Sequence, residues 1–178
     1  ELKNVFKELK NVNFNKNSIA ISVIAGKKTE IFKKNLLNIS KIVRVMPNMP
    51  ALIGDGVHCI YTNKSINKKE INEIDKLFSL SGKTIFFNSE TFIDKATAVS
   101  GSGPGFIFKL IDIMEKSAIN LGFSKNTAKT LINETFRGSL NLLNSNNISA
   151  EKMTETIATR GGTTEAGIKK MKINKVDK

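Results

Sequence analysis

The sequence predicts an α/β sheet followed by an all-α helical region. Up to Asn88, short β-branched runs alternate with helical stripes. After Asn88 every segment has helical periodicity, and glycine-rich breaks cut that half into helix-length pieces. The change of pattern places a boundary near residues 88–92 and gives two units, 1–89 and 90–178.

Leu2, Val5, Phe6 and Leu9 form an i, i+3, i+4, i+7 stripe and predict a first helix. Ile19–Ile24 is a short apolar run and predicts a buried strand. Thr29 is the expected cap of a short helix with Ile31, Phe32 and Leu36 on one face. Ile42–Met46 predicts a second strand, stopped by Pro47 and Pro50. This strand–helix–strand order is a βαβ unit and implies a parallel sheet. Val57–Thr62 is the third expected strand. Asn67-x-x-Glu70 resembles a capping box before Ile71, Ile74, Leu77 and Phe78. Gly82 should end that helix, ahead of a fourth strand at Thr84–Phe87.

The helical half opens around Glu90–Val99 and should break at Ser100–Pro104, with Ser102 as N-cap and Pro104 in the first turn. Phe106, Ile107, Leu110, Ile111, Met114, Ala118 and Leu121 make a broad apolar face, closed by Gly122. Ser124 opens the next helix, with Ala128, Leu131, Ile132, Phe136, Leu140 and Leu143. Ser149 caps a short helix carrying Met153 and Ile157. Gly161-Gly162 breaks it, and Thr163 or Thr164 starts the last helix, with Ile168 and Met171 inside.

Composition narrows the function. Hydrophobic residues are 40% of 178, enough for a core. The formal net charge is +12, yet only Arg44, Arg137 and Arg160 among 28 basic residues are arginine. The lysines are scattered, Tyr61 is the single tyrosine and tryptophan is absent, so the footprint of a nucleic-acid binder is missing. The longest apolar runs, such as Ile19–Ala25, are too short to span a membrane, and no signal peptide is visible. Because the first residue is Glu1 rather than Met, a preceding segment is expected. One cysteine, Cys59, fits a reducing compartment and points to the cytoplasm. Cys59 and His58 cannot form the usual zinc site, and both read as packing or edge residues of a strand. His58 has no evident triad partners.

Three constellations are candidates for chemistry. Ala25-Gly26 and Met46-Pro47-Asn48 each follow a strand, where ligands of open α/β sheets sit, although ordinary turn chemistry explains them equally. Ser100-Gly-Ser-Gly-Pro-Gly105 lacks dinucleotide-loop spacing; its glycines suit close helix packing or a ligand against the main chain. Thr159-Arg-Gly-Gly-Thr-Thr164 opens a helix, whose free N–H groups suit a carboxylate or phosphate, or it is a plain interhelix turn. Glu90 and Asp94 are i, i+4 neighbours and read as a solvated face rather than an acid–base pair.

Val43-Arg-Val-Met-Pro-Asn-Met-Pro-Ala51 resembles the R-x-M-P-N-x-P-A segment of the pyrroline-5-carboxylate reductases. Val99-Ser-Gly-Ser-Gly-Pro-Gly-Phe106 resembles that family's V-S-G-S-G-P-A-Y helix break, and Gly161-Gly-Thr-Thr164 its S-P-G-G-T-T loop. Order and spacing agree over essentially the whole chain. Thr159, Arg160 and Gly105 depart from the family's Ser, Pro and Ala.

The resemblance implies an α/β partial Rossmann sheet (1–89) followed by an all-α helical dimerisation domain (90–178). It implies that the glycine-rich nucleotide loop precedes Glu1, within roughly 60–70 residues at about 30 per βαβ unit. Residues 1–178 alone are therefore expected to bind nucleotide weakly and to be inactive. The implied reaction is reduction of 1-pyrroline-5-carboxylate to L-proline with NADPH or NADH, in a homodimer, with no metal, nucleic acid or membrane. Thr97 is implied to be catalytic, hydrogen-bonding the imine nitrogen. Glu90, Thr159, Gly161, Gly162, Thr163 and Thr164 are implied for substrate, and Ala25, Gly26, Pro47, Asn48 and Thr156 for cofactor. Two rivals stand beside it. One is a different imine- or hydroxyacid-reducing dehydrogenase with Lys95 or Lys109 as catalytic lysine. The other is a non-catalytic helical dimerisation fragment.

Overall fold

The computed structural model describes residues 1–145 and 148–176. Helix α1 (Leu2–Leu9) precedes strand β1 (Ile19–Ser22), helix α2 (Thr29–Asn35) and strand β2 (Lys41–Met46). A 3₁₀ turn at Met49–Ile53 leads to β3 (Gly56–Thr62), α3 (Lys68–Ser79) and β4 (Gly82–Phe87). Helix α4 (Thr91–Ala96) runs into a π turn at Thr97–Gly101. Helices α5 (Gly103–Asn120), α6 (Lys125–Ser145), α7 (Ala150–Ile157) and α8 (Thr163–Ile173) follow. This is the partial Rossmann sheet followed by helices that the sequence predicts.

The sheet has order β1-β2-β3-β4 and is mixed, not parallel throughout. β1 runs parallel to β2 and β3 parallel to β4, but β2 and β3 are antiparallel, with Val45 opposite Ile60. A parallel return needs a crossover of a dozen or more residues. Only the short turn at Met49–Ile53 separates β2 from β3, so the chain must double back.

Strand alternation in β2 splits the core between the two faces of the sheet. Ile42 joins Phe6, Phe32, Leu36 and Ile39 in one cluster. Val43 and Val45 join Ile60, Ile66 and Ile74 in the other. The Asn67–Glu70 capping box forms in both directions. Lys41 Nζ also reaches Glu70 Oε1 at 2.5 Å, and together with the Asn67 N–H it holds the Glu70 carboxyl below its usual range. His58 and Cys59 are buried in β3 as packing residues; His58 Nε2 lies 3.0 Å from Ser81 Oγ.

Four expectations are corrected. β1 stops at Ser22 rather than Ile24. The cap of α2 is Lys28; Thr29 is its first helical residue, and its hydroxyl is drawn away to Glu90. The break expected at Ser100–Pro104 is a π turn ending at Gly101, with α5 starting at Gly103 and Pro104 in its first turn, but Ser102 between them is αR (φ −84°, ψ −23°) rather than extended as an N-cap would be. The Ser102 N–H reaches back five residues to the Thr97 carbonyl at 2.9 Å, widening the turn. Gly82 does not cap α3, which ends at Ser79; it opens β4. By contrast, Ser124 and Ser149 accept the N–H groups of Thr127 and Lys152 as expected caps. Gly122 takes the left-handed side at φ 99°.

Gly82 is needed for close approach. Its φ is 152°, and a Cβ there would fall 2.1 Å from the Gly56 carbonyl oxygen and 2.6 Å from Gly56 Cα. Backbone cannot yield as a side chain can. Gly82→Ala is therefore expected to cost about 2–4 kcal/mol in urea unfolding. A loss below about 1 kcal/mol would mean that β3 and β4 can splay at this end.

The chain divides into two compact units, Glu1–Lys109 and Leu110–Lys178. Helix α4 and the π turn thus belong with the sheet. Among the described residues no helix is long and apolar enough to cross a membrane.

Candidate active site

The loops Ala25-Gly26 and Met46-Pro47-Asn48 follow β1 and β2, which are parallel neighbours, so both leave the same end of the sheet. Gly26 has φ 69°, and apart from its chain neighbours no atom of the described residues lies within 4 Å of where a Cβ would be. That space suits a ligand against the main chain. Asn48 Oδ1 accepts the Val57 N–H at 2.8 Å, which fixes the loop after β2 onto β3. Pro47 stands between that anchor and Met46.

Glu90 and Asp94 both turn toward Arg44, Glu90 with 18% of its side chain exposed and Asp94 with 45%. Arg44, in the middle of β2, is 1% exposed. Its Nη2 donates to Asp94 Oδ1 at 2.6 Å, and its Nη1 lies 3.5 Å from Glu90 Oε1. Glu90 also accepts the Thr29 N–H at 2.6 Å and the Thr29 hydroxyl at 3.0 Å. A carboxylate holding three donors is committed to the scaffold, so any contact of Glu90 with substrate is made by a group already fixed in place.

Thr97 opens the π turn, and its hydroxyl donates to the Ile93 carbonyl at 2.8 Å. With that hydrogen committed, its oxygen lone pairs are what it offers to a ligand, the opposite polarity to a donor onto a neutral imine. Ser100 Oγ donates to Ala96 O at 3.0 Å and touches Cys59 Sγ at 3.7 Å, tying the turn to β3. A Cβ on Gly101 would come within 2.9 Å of the Met46 methyl, whereas Gly103 and Gly105 face open space. The first glycine therefore serves packing.

The Thr159–Thr164 segment is built as a turn. Gly162 N–H donates to Thr159 O at 3.0 Å, and Gly161 has φ 77°. Arg160 does not have a positive φ, so this is the pattern of a type II turn, with Arg160 at the position where proline is favoured. Glycine supplies the positive φ, and the turn survives without proline. Gly161 N–H donates to Glu165 Oε2 at 2.9 Å, which together with Lys169 holds that carboxyl below its usual range. The Gly161 and Gly162 N–H groups are thus engaged within the loop. The donors left for an anion are the first N–H groups of α8, at Thr163 and Thr164, which have no intrahelical acceptor. Thr156 lies on α7 with its hydroxyl on Lys152 O.

Ala25, Gly26, Pro47, Asn48, Glu90 and Thr97 belong to the Glu1–Lys109 unit; Thr156, Thr159, Gly161, Gly162, Thr163 and Thr164 belong to the Leu110–Lys178 unit. Within the first, Arg44, Asp94 and Thr29 tie the site segments together, whereas the sequence suggests only a helix cap for Thr29, a solvated face for Asp94 and no structural role for Arg44. The available signal was an arginine inside the apolar run Ile42–Met46. Lys95, the rival catalytic lysine, lies with Nζ 4.9 Å over the Phe92 ring.

Residues 90–178 match the family described as pyrroline-5-carboxylate reductase dimerisation. The pyrroline-5-carboxylate reductase of Haemophilus influenzae is 31% identical over 151 residues, covering 84% of this chain and 56% of that protein. That of Aquifex aeolicus is 35% identical over 151 residues, covering 85% and 57%. The chain thus spans a little over half the length of these curated relatives. A solved pyrroline-5-carboxylate reductase from Coxiella burnetii superposes with a TM-score of 0.86 at 31% identity, covering 99% of this chain and 65% of that one. The Plasmodium falciparum pyrroline carboxylate reductase with NADP bound gives a TM-score of 0.86 at 26% identity, covering 99% and 68%. On the match across its C-terminal half, this chain belongs to the pyrroline-5-carboxylate reductase family.

Proposed function

We propose that this chain is part of an enzyme that reduces 1-pyrroline-5-carboxylate to L-proline with NADPH or NADH, the last step of proline synthesis. The observation that carries the reading is the family match over residues 90–178, joined to a fit of the fold over 99% of this chain to 65% of a solved reductase. Residues 1–89 act as the C-terminal part of a nucleotide-binding domain, and residues 90–178 as a helical domain for substrate binding and homodimerisation. The protein works in the cytoplasm.

In this reading the crevice at Ala25, Gly26, Pro47 and Asn48 takes the nicotinamide side of the cofactor, for which the open main chain at Gly26 leaves room. Thr156, on α7, is the further cofactor residue that the family resemblance implies. Reduced nicotinamide, if held there, would supply the hydride for the imine carbon. The electron pair of the C=N bond then passes to nitrogen, which carries the proton that completes the secondary amine. Thr97 orients that nitrogen; with its own hydrogen on Ile93 O, it accepts from the N–H of the protonated imine. The carboxylate of the substrate is held by Thr163 and Thr164 at the start of α8, on a loop shaped by Thr159, Gly161 and Gly162. Glu90 keeps the substrate side rigid through Thr29 and Arg44. The protein's share of the catalysis is positioning and electrostatics.

The test uses the intact gene product with pyrroline-5-carboxylate and NADPH or NADH, following nucleotide oxidation and proline together. Stoichiometric proline is expected. Absence of proline with both nucleotides would end the reductase reading and favour a helical module without catalytic activity.

A further inference from the structure

We propose that Arg44 is the positioning residue of this site: it clamps α4 onto the sheet and so sets where Thr97 and the π turn stand. The inference rests on the reductase reading for its catalytic consequence, and on geometry alone for the clamp.

Arg44 is flanked by Ile42, Val43 and Val45, all at most 1% exposed, and is itself 1% exposed. A buried cation is tolerated only with partners, because desolvation costs several kcal/mol per ion. A leucine at this place would give packing without that cost. What the guanidinium adds is direction.

Its partners share one face. Glu90, the N-cap of α4, and Asp94 within it lie one turn apart, so two anchors fix both the rotation of the helix and its position along its axis. Arg44 and Ile42 share a face of β2, the face on which α2 packs. Glu90 then passes the connection to Thr29, the first residue of α2, three residues after Gly26. One network therefore joins the strand leading to Pro47-Asn48, the helix leading to Thr97, and the helix following Ala25-Gly26.

Thr97 lies three residues beyond Asp94, about one helical turn and roughly 4.5 Å along the axis. The π turn that begins there depends on the Ser102 N–H meeting the Thr97 carbonyl, so its onset follows the register of α4. Arg44 Nε is buried with no partner among the described residues. Only the two terminal nitrogens hold the helix, so loss of either carboxylate leaves half the clamp.

The test compares three full-length proteins: wild type, Arg44→Lys, and the charge-free triple Arg44→Met/Glu90→Gln/Asp94→Asn. The triple leaves no orphaned buried charge and keeps the volume, so folding is preserved, and circular dichroism and sedimentation check this. In the triple, kcat is expected to fall roughly 10- to 100-fold, as misplacement remote from the chemistry does, with KM for nucleotide within about twofold. Arg44→Lys, keeping the charge but not the fork, should recover part of kcat. Amide exchange should rise at residues 93–102 while the β3 amides of residues 57–62 stay protected. Unchanged exchange at 97–102 overturns the clamp, as does a rise spread evenly over the sheet. A kcat within twofold of wild type despite local loosening overturns the positioning role. If wild type makes no proline, the reductase reading fails, and the exchange data alone decide the clamp.

Discussion

Ile113→Asp in the full-length protein is expected to yield folded monomers without turnover. In the single chain Ile113 is 48% exposed, in company with Phe106 at 68%, Phe108 at 54%, Ile107 at 50% and Leu110 at 45%. Two turns of α5 thus present apolar side chains around most of the circumference, far beyond the single stripe of a surface helix. Met114 of α5 and Phe136, Leu140 and Leu143 of α6 line an apolar groove nearby. In the proposed homodimer, a second copy of the chain would cover such a face with an interface above about 2,000 Å² in total. An aspartate at an exposed position leaves the protomer intact. In the dimer it is an unpaired buried charge costing several kcal/mol, enough to raise the dissociation constant by more than a hundredfold. Sedimentation and circular dichroism at micromolar protein check this. An active dimer carrying Ile113→Asp would place the interface elsewhere.

Thr97→Val is expected to lower kcat roughly 10- to 100-fold while leaving nucleotide binding unchanged. A hydrogen bond to a charged group is worth about 1.5–3 kcal/mol, and the nitrogen of the protonated imine is such a group. Valine keeps the shape of threonine, and the lost bond to Ile93 O is local, so the π turn should persist. Thr97→Ser keeps the hydroxyl and should retain most turnover. Steady-state kinetics with separate titration of both substrates distinguish the outcomes. Unchanged turnover in Thr97→Val would remove Thr97 from the mechanism. A rise in nucleotide KM alone would make it a packing residue.

Much of this was legible along the chain. The four strands, the helices after Asn88, the Asn67–Glu70 capping box and the Ser124 and Ser149 caps are local features, fixed by residue type within one turn. Family membership was legible too, because Arg44–Ala51, Val99–Phe106 and Gly161–Thr164 are contiguous motifs in a fixed order. The mixed sheet was misread because strand direction depends on what a connection can span, not on the strand's own residues.

The role of individual side chains was settled elsewhere. By sequence Glu90 and Asp94 read as a solvated pair; by structure they face a guanidinium from a strand 46 and 50 positions away. Thr29 read as a cap and became a ligand of Glu90, 61 positions distant. Gly82 read as a helix stop and proved to be the close contact of β4 with Gly56. The sequence by itself determined which segments are strand or helix, because backbone sterics and apolar periodicity act between near neighbours. Only the tertiary structure decided where the charges are spent, because a buried cation takes whichever carboxylates the fold brings to it, and that pairing leaves no periodic trace in the chain.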